Sequence, residues 1–505
     1  MQSVSNHIGC KVRHFGSHGP NIEINLAETD GPRRTWTTSY STMDTIAGTV
    51  DITSTQSIRF EDIDVAFIGT SQVFVDRLSN TPSVTGRTEA THRFLALRQP
   101  FKESDFPSPR VFEAGKTYKF PFTFTIPAQL LPKACPHDVV SDHVRDCHLM
   151  PPPSLGDPDL AGFGGSLLDD FAPEMSKITY GIKVRIAHQR GADNTISILG
   201  EKLKKIRVKP AFEEQPPLNI DGIDEYRSRQ EKVVRKGLFK GKLGTLTAQT
   251  MQPKALRVPG ARTCDNEPIT TMAKLVLRFD PLEESYAPPN LGSLTPKLKV
   301  STHYASAPRQ SLPSRDSLAY DLTQGVYSES IALSNLCIAS AHWEKHSYAS
   351  NPITSSPFRR DSGISDCSTA SISEPAFASG ILHPSKAYKQ GAFYSAQILI
   401  PITIPVTANL IPTFHTCIIS RTYTLSLRFS PCTGSNIHLK VPFQVCAAGS
   451  DTGIRNARTR SVEETELREA GDLSTLRSGG RASEINESLP EYAAVASAAG
   501  RYIAR

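Results

Sequence analysis

Residues 118–132 read YKFPFTFTIPAQLLP, and this stretch decides the fold class. Phe120, Phe122, Phe124 and Ile126 occupy every second position, and the residues between them are mostly polar. A period of two places these side chains on one face of an extended strand, which is typical of a half-buried β-strand. Pro127 then closes the strand, because proline has no N–H to donate to a sheet.

The second half of the chain repeats this arrangement. Residues 395–412 read SAQILIPITIPVTANLIP, again an apolar strand that runs into prolines. In each half the next strand begins at a tyrosine, Tyr180 or Tyr423. The matching inward positions are predicted to be Ile182, Val184 and Ile186 in the first half and Leu425, Leu427 and Phe429 in the second. The duplication predicts an all-β protein of two tandem antiparallel β-sandwiches.

Composition supports a two-domain chain with additional segments outside the cores. The 505 residues exceed what one ordinary core holds, and 38% hydrophobic content leaves room for disorder. The predicted divisions are a flexible N-terminus at 1–20, a first sandwich at 21–210, a linker at 211–230, a second sandwich at 231–446 with a mobile Ser/Pro-rich insert at 347–384, and a disordered tail at 447–505.

Charge, cysteine content and hydropathy indicate the compartment. No stretch has the length and apolar character of a membrane span, and the N-terminal residues lack the apolar core of a secretory signal. The nine cysteines are scattered without a C-x-x-C pair, which favours reduced thiols in the cytosol. The net charge of +6 does not by itself indicate a nucleic-acid partner, and none is predicted.

Four segments together resemble the fungal α-arrestins, also called arrestin-related trafficking adaptors. They are FPFTFTIP at 120–127, PPPSLGD at 151–157, ITYGIKVRI at 178–186 and LIPTFHTCIISRTYTLSLRF at 410–429. The resemblance implies arrestin-like N- and C-terminal domains. It also implies a non-enzymatic adaptor that brings a Nedd4-type HECT ubiquitin ligase to membrane transporters or receptors, promoting their ubiquitination and endocytosis. Such a protein would be cytoplasmic and peripherally recruited to the plasma membrane and endosomes.

The tail carries a candidate ligand for the ligase's WW domains. Leu489, Pro490 and Tyr492 resemble the L/P-P-x-Y ligand of the family. A proline ring docks in an aromatic groove at low entropic cost, and the tyrosine fills a neighbouring pocket. Leu489 replaces the first proline of the commoner form, so a lower affinity is expected. The alternative is a chance match, and the protein would then be a signalling or sorting scaffold that recruits no ligase.

A basic segment lies at the junction between the predicted sandwiches. It consists of Arg227, Arg229, Lys232, Arg235, Lys236, Lys240 and Lys242, with Glu231 as the single acid among them. Such a segment could contact an anionic membrane surface or phosphorylated tails. The alternative is a solvated linker and edge strand, which cationic side chains protect from aggregation. Candidate phosphorylation sites in polar segments are Ser356, Ser362 and Ser461.

A Cys/His cluster precedes the PPPSLGD segment. It contains Cys135, His137, His143, Cys147 and His148. These residue types suit zinc, but their spacing is not a recognised finger pattern, and adjacent Cys147 and His148 do not readily serve one tetrahedral ion. The sequence therefore favours a polar loop, and no metal or cofactor is predicted.

Motifs of catalysis are missing from the sequence. There is no G-x-S-x-G elbow, Walker A loop or H-E-x-x-H helix, and GFGG at 162–165 lacks a clear strand before it or helix after it. No catalytic residue is predicted. A hydrolase or metal-dependent enzyme built on β-sandwiches stays as an alternative that requires a polar pocket with converging titratable groups.

Overall fold

The computed structural model of the chain describes residues 19–27, 39–77, 86–157, 170–190, 195–220, 222–237, 241–260, 269–314, 318, 320–347, 381–386, 388, 391–405, 408–431 and 436–459. Within these ranges, no helix has the length and apolar character needed to cross a membrane.

The first half of the chain forms a sandwich of two antiparallel sheets. Its strands are β1 (Asn21–Leu26), β2 (Ser39–Tyr40), β3 (Thr45–Thr53), β4 (Ile58–Arg59), β5 (Asp62–Arg77), β6 (Gly86–Arg98), β7 (Val111–Phe112), β8 (Thr117–Thr125), β9 (Ser176–Arg190) and β10 (Thr195–Val208). Two 3-10 turns (Glu103–Asp105 and Pro132–Ala134) and helix α1 (Asp142–Leu149) lie among them. The sheet β1-β3-β8 packs on the sheet β2-β10-β9-β5-β6, and one hydrophobic core lies between them; β2 joins its neighbour β10 in parallel.

The second half forms another sandwich. Its strands are β11 (Arg229–Arg235), β12 (Lys242–Thr250), β13 (Leu256–Val258), β14 (Thr270–Pro281), β15 (Leu291–Ala305), β16 (Gln324–Ala332), β17 (Leu336–Cys337), β18 (Glu344–His346), β19 (Phe393–Thr403), β20 (Phe414–His415), β21 (Ile419–Pro431), β22 (Ile437–Phe443) and β23 (Val445–Ala447). The sheet β11-β12-β14-β19-β18 faces the sheet built from β16, β15, β21, β20 and β22, and a separate core fills the space between them. The predicted all-β sandwich class is confirmed.

The alternation that predicted β8 corresponds to its two faces in the structure. Phe120, Phe122 and Phe124 are buried in the first core, and the Phe124 ring lies 6.0 Å from that of Phe67 on the opposite sheet. Pro121 is accommodated because β8 is the end strand of its sheet, where a missing N–H costs no ladder bond. The six predicted inward positions on β9 and β21 are all buried.

The two tyrosines of the repeat make the same contact in both halves. The Tyr180 hydroxyl donates a 2.6 Å hydrogen bond to the carbonyl of Pro152, and Tyr423 donates one of 2.7 Å to the carbonyl of Ile411. Both side chains are fully buried, and burial raises the pKa of each phenol, so both stay protonated donors. The prediction that each strand begins at its tyrosine is wrong, because β9 begins at Ser176 and β21 at Ile419. Each tyrosine nevertheless ties its strand to the proline-containing segment that precedes it.

Replacing either tyrosine with phenylalanine is expected to lower the free energy of unfolding by about 1–2 kcal/mol. The ring still packs, but a buried carbonyl loses its donor. Urea denaturation of Tyr180→Phe and Tyr423→Phe measures the effect, and Tyr320→Phe is the control because Tyr320 is 90% exposed. Stability equal to that of the control would show that the two hydrogen bonds contribute nothing.

The sandwiches contact each other through hydrogen bonds and through apolar side chains. Arg421 on β21 is fully buried and donates to the carbonyls of Asp170 and Phe171 at 2.9 and 3.1 Å. The Val140 amide donates to the Gln310 carbonyl at 2.9 Å. Second-half residues, among them Phe414, Ile418 and Ile419, also complete the first hydrophobic core.

The chain beyond the second sandwich returns to the first one. Residues 451–459 are helical, whereas the predicted tail is disordered from residue 447. Buried Asp44 accepts hydrogen bonds from Ser450 and, at 2.6 Å, from Thr452, and Asn456 donates to the Met43 carbonyl at 2.8 Å. The prediction of disorder is therefore wrong for residues 447–459, because polar side chains and β23 hold this segment where few apolar residues could.

A buried ion pair holds the segment that leads into β19. Arg278 and Asp280 on β14 are 4% exposed each and lie 2.8 Å apart. Arg278 also donates to the Leu382 carbonyl at 2.7 Å, and Asp280 accepts from the Ser385 amide at 2.8 Å. The last residues of the predicted insert at 347–384 are thereby fixed to the sheet; residues 348–380 lie outside the described ranges.

Candidate functional site

Four side chains with metal-ligand chemistry meet between the two sandwiches. They are Cys135, His137, His148 and Cys417, and their nearest donor atoms all lie within 4.8 Å of one another. Cys135 and Cys417 are each 1% exposed and His148 is 3% exposed, while His137 is half-buried. All four donors face one small volume beneath the surface.

Local structure fixes the three first-half members. Cys135 ends a 3-10 turn, and its amide donates to the Pro132 carbonyl at 3.0 Å. Helix α1 begins after Ser141, whose hydroxyl accepts from the Val144 amide and caps the helix. Val144 and His148 are buried one turn apart, so the inner face of α1 carries His148 into the cluster.

The fourth member comes from the second half. Cys417 lies in the short connection between β20 and β21, where Thr416 bonds to both the amide and the carbonyl of Ile419 at 3.0 and 2.8 Å. The Cys417 carbonyl accepts from the Arg309 amide at 2.8 Å, and its thiol lies 3.6 Å from the Ala134 carbonyl. Two elements of the second sandwich thus hold this thiol against the first.

A hydrogen bond fixes the tautomer of His137. His137 Nε2 lies 2.9 Å from the Arg309 carbonyl, which can only accept, so Nε2 carries the proton. The lone pair of His137 is then on Nδ1, and Cys135 Sγ lies 3.8 Å from each of the two ring nitrogens. His148 Nδ1 lies 3.6 Å from the same sulfur.

Burial determines the ionisation of the cluster. It lowers the pKa of His148 to about 4, assisted by nearby His137 and Arg309, so His148 is neutral at physiological pH. Burial raises the pKa of both the Cys135 and Cys417 thiols. The cluster therefore offers the neutral imidazole of His148 and two thiols shielded from water.

The structure divides the Cys/His residues noted in the sequence. Cys135, His137 and His148 come together, but His143 and Cys147 lie one turn apart on another face of α1, with Nε2 and Sγ 3.8 Å apart. The interpretation of this segment as a polar loop is wrong, because it contains α1; the Ser141-Asp142 start of the helix was the available signal. Nothing local in the sequence indicates Cys417.

The comparison with protein families matches the same region. A family model described as the Bul1 N terminus matches residues 103–159, which include β8, α1 and three members of the cluster. This match supports an arrestin-related family at a coarse level. No curated protein matches the chain.

The two-sandwich body also includes most of the predicted basic segment. Arg229, Lys232 and Arg235 lie on β11, the end strand of its sheet. Arg229 and Lys232 are three residues apart and so face opposite sides of the strand. Arg229 is engaged with Glu231 at 2.7 Å and with the His383 carbonyl at 3.2 Å. The segment is therefore not one continuous cationic surface.

Its positive charge concentrates at the end of the β11–β12 hairpin. Arg235 pairs in register with Lys242, and both are exposed. Lys236 follows, with its ammonium 3.7 Å from the centre of the Tyr286 ring. Arg227 lies before β11 and bridges to Lys440 through the backbone.

The remaining predicted site residues lie outside the described ranges. They are Lys240, the WW-ligand residues Leu489, Pro490 and Tyr492, and the candidate phosphorylation sites Ser356, Ser362 and Ser461.

Proposed function

We propose that this protein is a non-enzymatic trafficking adaptor that recruits a Nedd4-type HECT ubiquitin ligase to membrane transporters or receptors. Recruitment would promote ubiquitination and endocytosis of the cargo. The observation that carries the proposal is the match of residues 103–159 to the Bul1 N terminus within a body of two β-sandwiches. The protein would act from the cytoplasm, at the plasma membrane and endosomes.

Each part of the chain has a distinct role in this proposal. The sandwiches bind cargo, and buried contacts such as that of Arg421 hold them together as one binding body. The hairpin end with Arg235, Lys236 and Lys242 offers positive charge to an anionic membrane or a phosphorylated tail. Leu489, Pro490 and Tyr492 bind the WW domains of the ligase.

The WW-ligand assignment predicts that Tyr492→Ala weakens binding of the full chain to purified Nedd4-type WW domains by about tenfold or more. The tyrosine fills a pocket that alanine leaves empty. A pull-down followed by a titration measures the loss. Tyr502→Ala is the matched control, because it removes the same side chain ten positions later in the same tail.

Equal binding by the wild type and Tyr492→Ala would refute the tail assignment. The same pair of variants in cells separates the adaptor from a ligase-independent scaffold. Cargo turnover that survives Tyr492→Ala and Pro490→Ala would favour the scaffold.

A further inference from the structure

We infer that Cys135, His137, His148 and Cys417 bind a structural zinc ion that joins the two sandwiches. The inference goes beyond the adaptor function and does not depend on it. Two sulfur and two imidazole donors form the set that zinc takes in closed, tetrahedral sites. Soft sulfur donors also disfavour magnesium and calcium, which prefer oxygen.

The distances fit a tetrahedral ion. Zn–S bonds of about 2.3 Å and Zn–N bonds of about 2.0–2.1 Å place neighbouring donors about 3.3–3.8 Å apart. Cys135 Sγ lies 3.6 Å from His148 Nδ1 and 3.8 Å from His137 Nδ1. No pair of donors exceeds 4.8 Å, so closure around an ion needs side-chain movements of about an ångström.

The surroundings complete the site. His137 donates its Nε2 proton to the Arg309 carbonyl, the kind of outer contact that fixes the tautomer of a zinc-ligating histidine and aims the other nitrogen at the metal. Two thiolates balance the charge of Zn²⁺, so the filled site is neutral and suits a buried position. Binding releases the two thiol protons to solvent, with no redox change.

The origin of the ligands determines what the ion would do. Three come from the segment between β8 and β9, and Cys417 comes from the connection between β20 and β21. All four positions are filled by protein, which leaves no open position for a substrate and assigns a structural role. The ion would hold the sandwiches in one relative orientation.

The test is metal analysis of the full-length chain purified under reducing conditions without chelators. We expect about one zinc per chain in the wild type and far less in Cys417→Ser and His148→Gln. Cys147→Ser is the matched control, since it removes a neighbouring thiol that lies outside the cluster, and it should keep its zinc. Circular dichroism verifies the fold of each variant.

A second measurement on the wild type alone covers the case in which the variants do not fold. Cobalt replacing zinc should give the visible bands and sulfur-to-metal charge transfer of a tetrahedral site with two thiolates. Cys135 and Cys417 should resist alkylation until a chelator is added. Near-zero zinc after reconstitution, octahedral cobalt spectra, or a Cys135–Cys417 disulfide in place of metal would each overturn the inference.

Discussion

Replacing Asp280 with alanine is expected to lower the free energy of unfolding by about 3–5 kcal/mol. The change leaves the Arg278 guanidinium buried without its counter-charge, and the Ser385 amide loses its acceptor. The stacking of Arg278 on the ring of Phe393, 3.9 Å away, keeps the cation from turning out to solvent. The damage should centre on the second sandwich, because β14 is a central strand of its sheet.

Denaturant unfolding followed by circular dichroism measures this loss. Asp76→Ala is the control, because it breaks the Arg87–Asp76 pair at 2.7 Å, in which both side chains are about half exposed. Exposed pairs contribute little, so the control should behave as the wild type. Equal stability of the two variants would mean that water reaches the Arg278–Asp280 pair in solution.

Replacing Gly453 with alanine is expected to release the helix at 451–459 from the first sandwich. A Cβ at this position would collide with the Thr42 carbonyl oxygen and lie 3.3 Å from Asp44 Oδ1. Release costs the bonds from Ser450, Thr452 and Asn456, of which those to a carboxylate are worth about 1.5–3 kcal/mol each. The direction of the change in helix stability distinguishes a docked helix from an undocked one. In an undocked helix the same substitution stabilises the helix by about 1 kcal/mol.

Hydrogen exchange at residues 451–459 measures the release. Protection should fall in Gly453→Ala and stay unchanged in Gly241→Ala, where an added Cβ meets open space. Greater protection in Gly453→Ala would show that this helix does not dock on Thr42 in solution.

Features carried by local pattern were predictable from the sequence. The alternation in β8, β9 and β21 needs only neighbours along the chain, and burial of one sheet face enforces it. Tyr180 and Tyr423 stand out for the same reason, since each follows a proline-containing connector. Their hydroxyl partners, Pro152 and Ile411, lie within that connector.

Features that depend on distant segments were not predictable. Cys417 comes to Cys135 through contacts between the two sandwiches, such as that of its thiol with the Ala134 carbonyl, 283 positions away in the sequence. No spacing rule connects residues so far apart. The contact between Asp44 and Ser450 was not predictable for the same reason. The sequence shows the basic segment by its composition alone. Which of its cations lie at the end of the hairpin and which lie on the faces of β11 follows from the register of β11 with β12.

The docked helix at 451–459 also determines where the protein can be cut. Deleting everything after residue 447 to remove the ligase motif would take away the Ser450 and Thr452 donors of Asp44 as well. A binding defect in that truncated protein could then result either from loss of the motif or from damage to the first sandwich. A deletion that begins after residue 459 separates the two effects, and a reporter fused there leaves the Asp44 contacts in place.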